Sequence, residues 1–571
     1  MVGQISVIDQ VIACINRKKS FIIDAGAGSG KTYSLIQTIK YITQKSIKDN
    51  QRILCVTFTN AAKNEINGRL FLDSSKIIVT TLHDFIWDFV KQFQVNLRLE
   101  VEKLAIKKLE KLQNEVMEAK RKIDNPKGNT NVEKHKKIVE DNQRRILKYQ
   151  DIDYKSLDVN YDLYSAYYKG KISHDDIIII MNNFLEYEFF SKLLLSSYPY
   201  ILIDEYQDTN WDVVKKILTA TQKYRSEIST IVGMFGDRMQ MIYEDTSFDL
   251  EVLELEQIKK EDNYRTAIEI VESNNIFRND GLIQNCDNQN PKVRFEKIKF
   301  VYNKSLDLKL ESYISDEDVF SSYKRLYLAN KNIANEIGFS DLSDLFSEVY
   351  NKNGNEKLLK LEDQFLSYVM TDILDIVIKF EKKEYYDLVQ KLKFTKDEEL
   401  KSFLFDITIL INQEDQSIRR YIEFFINKKI IDRQQYDDIV ASYDNFENDF
   451  LAQILAIDIH QFKKLLLQIN DQTSLDTLHG VKGNEFEKVI VNIFENQPWN
   501  KYNFDKLLLN KDISIDSAKR AHKLLYVACT RAKSSLIINY IADTNSTLNV
   551  DTLKTRVKEH FGDKMEFILL E

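Results

Sequence analysis

An α/β fold with two P-loop-type domains and mainly helical insertions is predicted for this chain by three observations. Short apolar runs alternate with helix-like segments in its first half. One of them, SFIIDA (20–25), opens into the glycine-rich turn AGAGSGKT (25–32), and a second set of apolar runs appears late in the chain. Alternation of this kind is the pattern of parallel sheets covered by helices.

The elements follow in order. After SFIIDA a helix is expected from about Lys31 to Thr43, and ILCVTF (53–58), IIVTT (77–81), YILIDE (200–205) and TIVGMFGD (230–237) read as further buried strands. A first domain over 1–95 plus 170–260 is therefore expected, interrupted by a helical accessory insertion, 96–169, with NPKGNTN (125–131) as the turn between two helices. Val101 to Gln150 carries 14 Lys/Arg against 8 Asp/Glu. A basic hairpin beside nucleic acid explains that excess, and a solvated helix face explains it equally well. VRFEKIKFVY (293–302), RLYLAN (325–330), KVIVNIF (488–494) and SSLIINYIA (534–542) predict a second α/β domain over 261–334 plus 471–571. Residues 335–470 read as its helical insertion, without a repeat period or a recognisable site.

Composition narrows the class. A length of 571 residues exceeds one core, and 43% hydrophobic residues are ample for burial. The net charge of −8 excludes a chain-wide basic coat but not a locally lined track. Cys14, Cys55, Cys286 and Cys529 are scattered and form no CxxC pair, which favours reduced core cysteines over a metal site or disulfide. The start MVGQISVIDQ has no basic-then-apolar pattern and no 18-residue apolar run exists, so a cytoplasmic protein with no membrane partner is expected.

The chemistry concentrates at strand ends. In Ala25, Gly26, Ala27, Gly28, Ser29 and Gly30 the backbone can turn its N–H groups around phosphate, at the N-terminus of the helix that begins with Lys31 and Thr32. Lys31 suits the β- and γ-phosphates of ATP or GTP, and the Thr32 hydroxyl suits Mg2+. Ala25 stands where the strict pattern has glycine, and a small residue still fits. In YILIDEYQD (200–208) the strand ends on two carboxylates, placing Asp204 for the Mg2+ shell and Glu205 for the attacking water. Gln240, in FGDRMQ (235–240), either senses the γ-phosphate or is a structural turn residue. Arg265 and Arg531 carry no signal alone, but beside a P-loop they are candidates for stabilising the transferred phosphoryl group.

The ordered set Gln10, AGAGSGKT, TFTNAAKNEINGR (57–69), TLH (81–83), DEYQDTN (204–210), GDRMQMIY (236–243), NYR (263–265), TLHGVKGNEFEKVIV (477–491) and YVACTRA (526–532) resembles the UvrD/Rep/PcrA family of superfamily 1 DNA helicases. The resemblance implies two RecA-like motor domains, each with an accessory insertion, and 3′ to 5′ movement on single-stranded DNA or tailed duplex DNA. It implies that Gln10 reads adenine, Tyr264 packs on its ring and Glu485 approaches the ribose. Arg265 and Arg531 would then act at the γ-phosphate, Gln207 and Gln240 would couple it to the track, and Thr57, Phe58, Asn60, His83, Tyr243 and His479 would face the DNA. Chemically, Phe58 and Tyr243 suit base stacking, although each, like His83 and His479, also reads as an ordinary structural residue.

The chain departs from the family pattern in three places. It has AAK where TFTN is usually followed by KAA, MIYEDTS where SIYGWRGA is common, and RAHKLLYV leading into the last station. The loss of tryptophan and arginine from the IY segment weighs against strong processive unwinding. The tract between NYR and TLHG also reads as shorter than in typical repair helicases, which is similar to helicase components of anti-phage systems and implies a separate nuclease or defence-system partner. A translocase that strips proteins without unwinding, and an ATP-gated interaction module, are the competing readings.

Overall fold

The computed structural model describes residues 6–44, 50–70, 76–126, 132–162, 164–242, 254–286, 298–304, 310–314, 316–394, 396–441, 443, 447–497, 501–509, 516–543 and 545–570. It divides into two compact units, Met1–Arg265 with Asn279–Asn290, and Thr266–Arg278 with Pro291–Glu571.

In chain order the first unit contributes β1 (Phe21–Ala25), β2 (Ile53–Thr57), β3 (Ile77–Thr81), β4 (Asn160–Tyr161), β5 (Lys171–Ile172), β6 (Tyr200–Asp204), β7 (Ile231–Gly236), β8 (Glu256–Lys260), β9 (Asp262–Asn263) and β10 (Asn285–Cys286). Six of these form one parallel sheet in the order β3-β2-β6-β7-β1-β8, while β4–β5 and β9–β10 are separate parallel pairs. Strands covered on both faces read as unbroken apolar runs, and β2 and β7 are buried along their whole lengths. Successive side chains alternate between two cores. Phe21, Ile23, Cys55, Leu202 and Phe235 pack with Leu35 and Ile39 of the helix Lys31–Thr43. Ile22, Leu54, Val56, Ile201, Ile203 and Met234 pack on the opposite face with Phe85, Ile86 and Phe184.

The long helix Gln94–Asp124 roots in that second core through Leu97, Val101 and Leu104, and pairs with Val132–Leu147. Between these helices Asn142 Nδ2 donates to Glu115 at 2.9 Å. The turn at 127–131 lies outside the described residues.

The second unit contains β11 (Lys299–Asn303), β12 (Lys324–Tyr327), β13 (Leu475–Thr477), β14 (Phe486–Phe494), β15 (Ala532–Ile541) and β16 (Glu566–Leu570). They form a parallel sheet in the order β13-β12-β14-β15-β11-β16. The helices from Asn330–Ile337 to Ile459–Ile469 enclose a core of their own, centred on Phe346, Phe365, Leu374, Tyr421, Phe425 and Phe462. Mixed α/β architecture with parallel sheets is thus the fold class.

Cys14, Cys55 and Cys529 are buried free thiols, each with its pKa raised chiefly by burial, and Cys286 is half-buried. Among the described residues no helix is long and apolar enough to cross a membrane, and no group of three or more His, Cys, Asp or Glu is arranged to hold a metal ion.

Candidate functional site

Four segments meet at the C-terminal edge of the first sheet, where β1, β6 and β7 end side by side. The first is the loop after β1. Gly28 and Gly30 hold φ of 74° and 78°, in the left-handed region where side chains are strained, so the turn depends on glycine at both. Gly30 caps the helix Lys31–Thr43 without any side-chain hydrogen bond, which leaves the first-turn N–H groups to an anion. Ser29 Oγ is buried and has no hydrogen-bond partner.

The second segment ends β6. Asp204 is buried, and burial, then the neighbouring Glu205 carboxylate, pushes its pKa well above the usual carboxylate range, with Lys31 opposing. Its Oδ1 has no hydrogen-bond partner. A buried carboxylate with an orphaned oxygen beside a phosphate-type loop fits a hard divalent cation such as Mg2+, and the Thr32 hydroxyl stands one residue beyond Lys31. Glu205 holds φ at 47°, a strained backbone for a residue with a side chain. Its carboxylate lies 3.5 Å from Lys31 Nζ.

The third and fourth segments extend this pair into a relay. Gln207 Nε2 donates to Glu205 Oε2 at 2.6 Å, and Gln207 Oε1 accepts from the Asp237 N–H at 3.0 Å. Gln240 Nε2 then donates to Asp237 Oδ2 at 2.9 Å. Gln207, Asp237 and Gln240 are all buried, so each bond counts in a low-dielectric setting. Lys31, Glu205, Gln207, Asp237 and Gln240 therefore form one connected path. Asp237 carries it as a backbone and side-chain bridge, a role the motif pattern alone does not reveal.

Arg265 and Tyr264 lie in the same unit as this loop. The Tyr264 N–H donates to Gly28 O at 3.0 Å, the residue is 53% exposed, and Lys260 Nζ stands 5.8 Å from the ring centroid. An exposed aromatic pinned at a phosphate loop is suited to packing on a flat base. Gln10 is half-buried on the helix Val7–Asn16.

The C-terminal ends of β2 and β3, on the same edge of this parallel sheet, carry the residues expected at DNA. Thr57 is buried at the end of β2 and donates to Thr59 O at 3.1 Å. Thr59 caps the helix Asn60–Arg69, which leaves Asn60 exposed and Phe58 48% exposed, a poor place for a core aromatic. His83 packs edge-on against His174 at 4.8 Å, His174 against Tyr161 at 5.1 Å, and Tyr161 stacks on Trp87 at 5.9 Å. Burial, then His174, lowers the His83 pKa, so the ring is neutral at neutral pH. The partners His174, Tyr161 and Trp87 have no motif signature and come to His83 only through folding. Tyr243 and the altered tract after it lie outside the described residues.

Three candidate residues belong to the second unit. Arg531 is buried and its nitrogens donate to Val527 O, Asn484 O and Thr530 Oγ1 at 3.0, 3.2 and 3.1 Å. Glu485 pairs with Lys533 at 2.7 Å. His479 Nε2 meets the Tyr502 hydroxyl at 2.8 Å, and burial, with Lys482 and Lys501, takes its pKa down to about 4.

That shift predicts an acid-side loss of stability. Above about pH 6.5, the value for an unfolded histidine, His479 is neutral in both states and its contribution is complete. Below it the unfolded chain takes up the proton first, so stability falls between about pH 6.5 and 4. In thermal melts the drop in Tm from pH 7 to pH 5 is expected to be smaller in His479→Gln than in wild type; equal drops would contradict the assignment.

Residues 8–257 match the family model described as the UvrD/REP helicase N-terminal domain. The chain is 26% identical to a Gabija protein GajB of Bacillus cereus (strain HuB5-5), with 98% of each chain covered. It is 25% identical to a probable DNA helicase II homolog of Mycoplasma capricolum, covering 97% of this chain and 87% of that one. To an ATP-dependent DNA helicase Rep of Buchnera aphidicola (subsp. Schizaphis graminum) it is 23% identical, over 91% and 90% respectively.

Proposed function

We propose that this chain, a UvrD-like helicase by family, is an ATP-dependent DNA helicase that couples Mg2+–ATP hydrolysis to 3′ to 5′ movement on single-stranded DNA. The observation that carries the reading is the unbroken path from Lys31 through Glu205, Gln207 and Asp237 to Gln240. It ties phosphate-binding, water-activating and γ-phosphate-sensing chemistry into one bonded unit at a parallel-sheet edge.

In this reading the two sheets are two RecA-like motor domains, and the helical tracts 96–169 and 335–470 are accessory insertions. The loop 25–30 and Lys31 receive the triphosphate, with Gln10, Tyr264 and Glu485 at the nucleoside. Asp204 and Thr32 would hold Mg2+, which when bound neutralises charge on the β- and γ-phosphates. Lys31 would compensate the phosphate charge, and the Glu205 carboxylate would orient and deprotonate the attacking water. Arg265 and Arg531 would stabilise the phosphoryl group in transfer. Loss of the γ-phosphate is passed through Gln207 and Gln240 to the face carrying Thr57, Phe58, Asn60 and His83, with Tyr243 and His479 as further DNA contacts.

Direction is tested by unwinding of 3′-tailed against 5′-tailed duplexes, beside displacement of streptavidin from end-biotinylated single strands. The expected result is activity on the 3′-tailed substrate and release from the strand end that 3′ to 5′ movement reaches. Activity confined to the 5′-tailed substrate would overturn the polarity. Release of streptavidin with no strand separation would favour the protein-stripping reading. Phe58→Ala is expected to raise the DNA concentration for half-maximal ATPase stimulation, since loss of one base stack costs roughly 1–3 kcal/mol. An unchanged value would remove Phe58 from the track.

A defence setting is favoured over general repair by end-to-end similarity to a protein named Gabija protein GajB. Strand cutting in that setting would come from a separate nuclease partner.

A further inference from the structure

The Ala27 carbonyl, inside the phosphate-type loop, is held by two side-chain amides. Asn263 Nδ2 and Gln284 Nε2 each donate to it at 2.9 Å. Both residues are buried, and they come from neighbouring backbone, because β9 and β10 pair in parallel with Asn285 opposite Asp262 and Cys286 opposite Asn263. The Asn263 side chain is itself oriented, since its Oδ1 accepts from the Arg265 N–H at 3.0 Å. Gly26 provides the room. A Cβ there would stand 2.2–2.6 Å from the Gln284 carboxamide, while Gly26 is not among the positive-φ glycines. A side chain at this position would therefore displace the Gln284 carboxamide.

A carbonyl oxygen has two lone pairs, and here both are engaged. In a planar trans peptide the following N–H points opposite to the C=O, so fixing Ala27 O also fixes the Gly28 N–H. We infer that Gln284 is a positioning residue for the nucleotide: together with Asn263 it locks the Ala27–Gly28 peptide so that the Gly28 N–H faces the triphosphate before ATP arrives. The inference rests on the reading of AGAGSGKT as the phosphate cradle. A donor oriented in advance spares the ordering cost on binding, so its loss weakens nucleotide affinity more than turnover.

The test is a double-mutant cycle on the full chain, with ATP as the ligand and steady-state KM and kcat as readouts. Gln284→Met keeps the side-chain volume and removes the donor. Its expected effect is a roughly three- to tenfold rise in KM, the range of one neutral hydrogen bond, with kcat within about twofold of wild type. Gly26→Ala pushes the carboxamide off Ala27 and should reproduce that rise, and the double variant should be no worse than either single one. Circular dichroism and Tm verify folding of each variant. Wild-type turnover that is lost in Lys31→Ala, beside an unchanged KM in Gln284→Met or multiplicative effects in the double variant, overturns the positioning role alone. A wild-type protein that neither binds nor hydrolyses ATP overturns the cradle reading and this role together.

Discussion

Lys31→Ala is expected to lower ATP turnover by roughly 10²–10³-fold, the loss typical when one preorganised charge-stabilising donor is removed. Lys31 begins the helix after the glycine loop, and its ammonium lies 3.5 Å from Glu205. Alanine keeps the helix, being its best former, and leaves the loop glycines untouched. The variant therefore separates phosphate charge compensation from folding. An unchanged Tm with collapsed turnover is the expected pair of results, measured by phosphate release and thermal melting. Turnover within a fewfold of wild type would remove Lys31 from the reaction.

Glu205→Gln is expected to retain ATP binding while kcat falls by roughly 10²–10⁴-fold, the range for loss of a general base. The substitution is nearly isosteric and its carbonyl can still accept the hydrogen bond from Gln207 Nε2, so the path to Asp237 and Gln240 survives. What disappears is the basicity needed to take a proton from water. The neighbouring Asp204 also loses a like charge that helps raise its pKa, which favours its ionised form for Mg2+. Tight ATP binding with stalled turnover identifies the base. Normal kcat in Glu205→Gln would assign water activation elsewhere.

Central strands were legible in the sequence because they are apolar on both faces: SFIIDA, ILCVTF, YILIDE and TIVGMFGD coincide with β1, β2, β6 and β7. The edge strand β3 also coincides with IIVTT, but two other edge strands were not legible. EQIKK, forming β8, alternates burial and carries two lysines, and β13 has only three residues. Both pair on one side only, so neither requires the hydrophobic run that marks a central strand. The residues of the nucleotide edge were visible from the loop, the carboxylate pair and the glutamines, because strand ends concentrate that chemistry. Their connections were invisible. Asp237 joins two glutamines through a backbone N–H and a carboxylate, and Gln284 reaches Ala27 from 257 residues away. Nothing in LIQN (282–285) marks Gln284 as a partner of the loop. Likewise, the sequence marks Arg531 as a cation at a motif but not its donations to Val527 O, Asn484 O and Thr530 Oγ1.

The most direct test of a DNA-driven motor is the ATP hydrolysis rate of the purified wild-type chain, with Mg2+, measured without nucleic acid, with single-stranded DNA and with single-stranded RNA of the same length. The expected rate rises severalfold with single-stranded DNA and saturates with its concentration. A rate that is the same in all three conditions would contradict a DNA-driven motor.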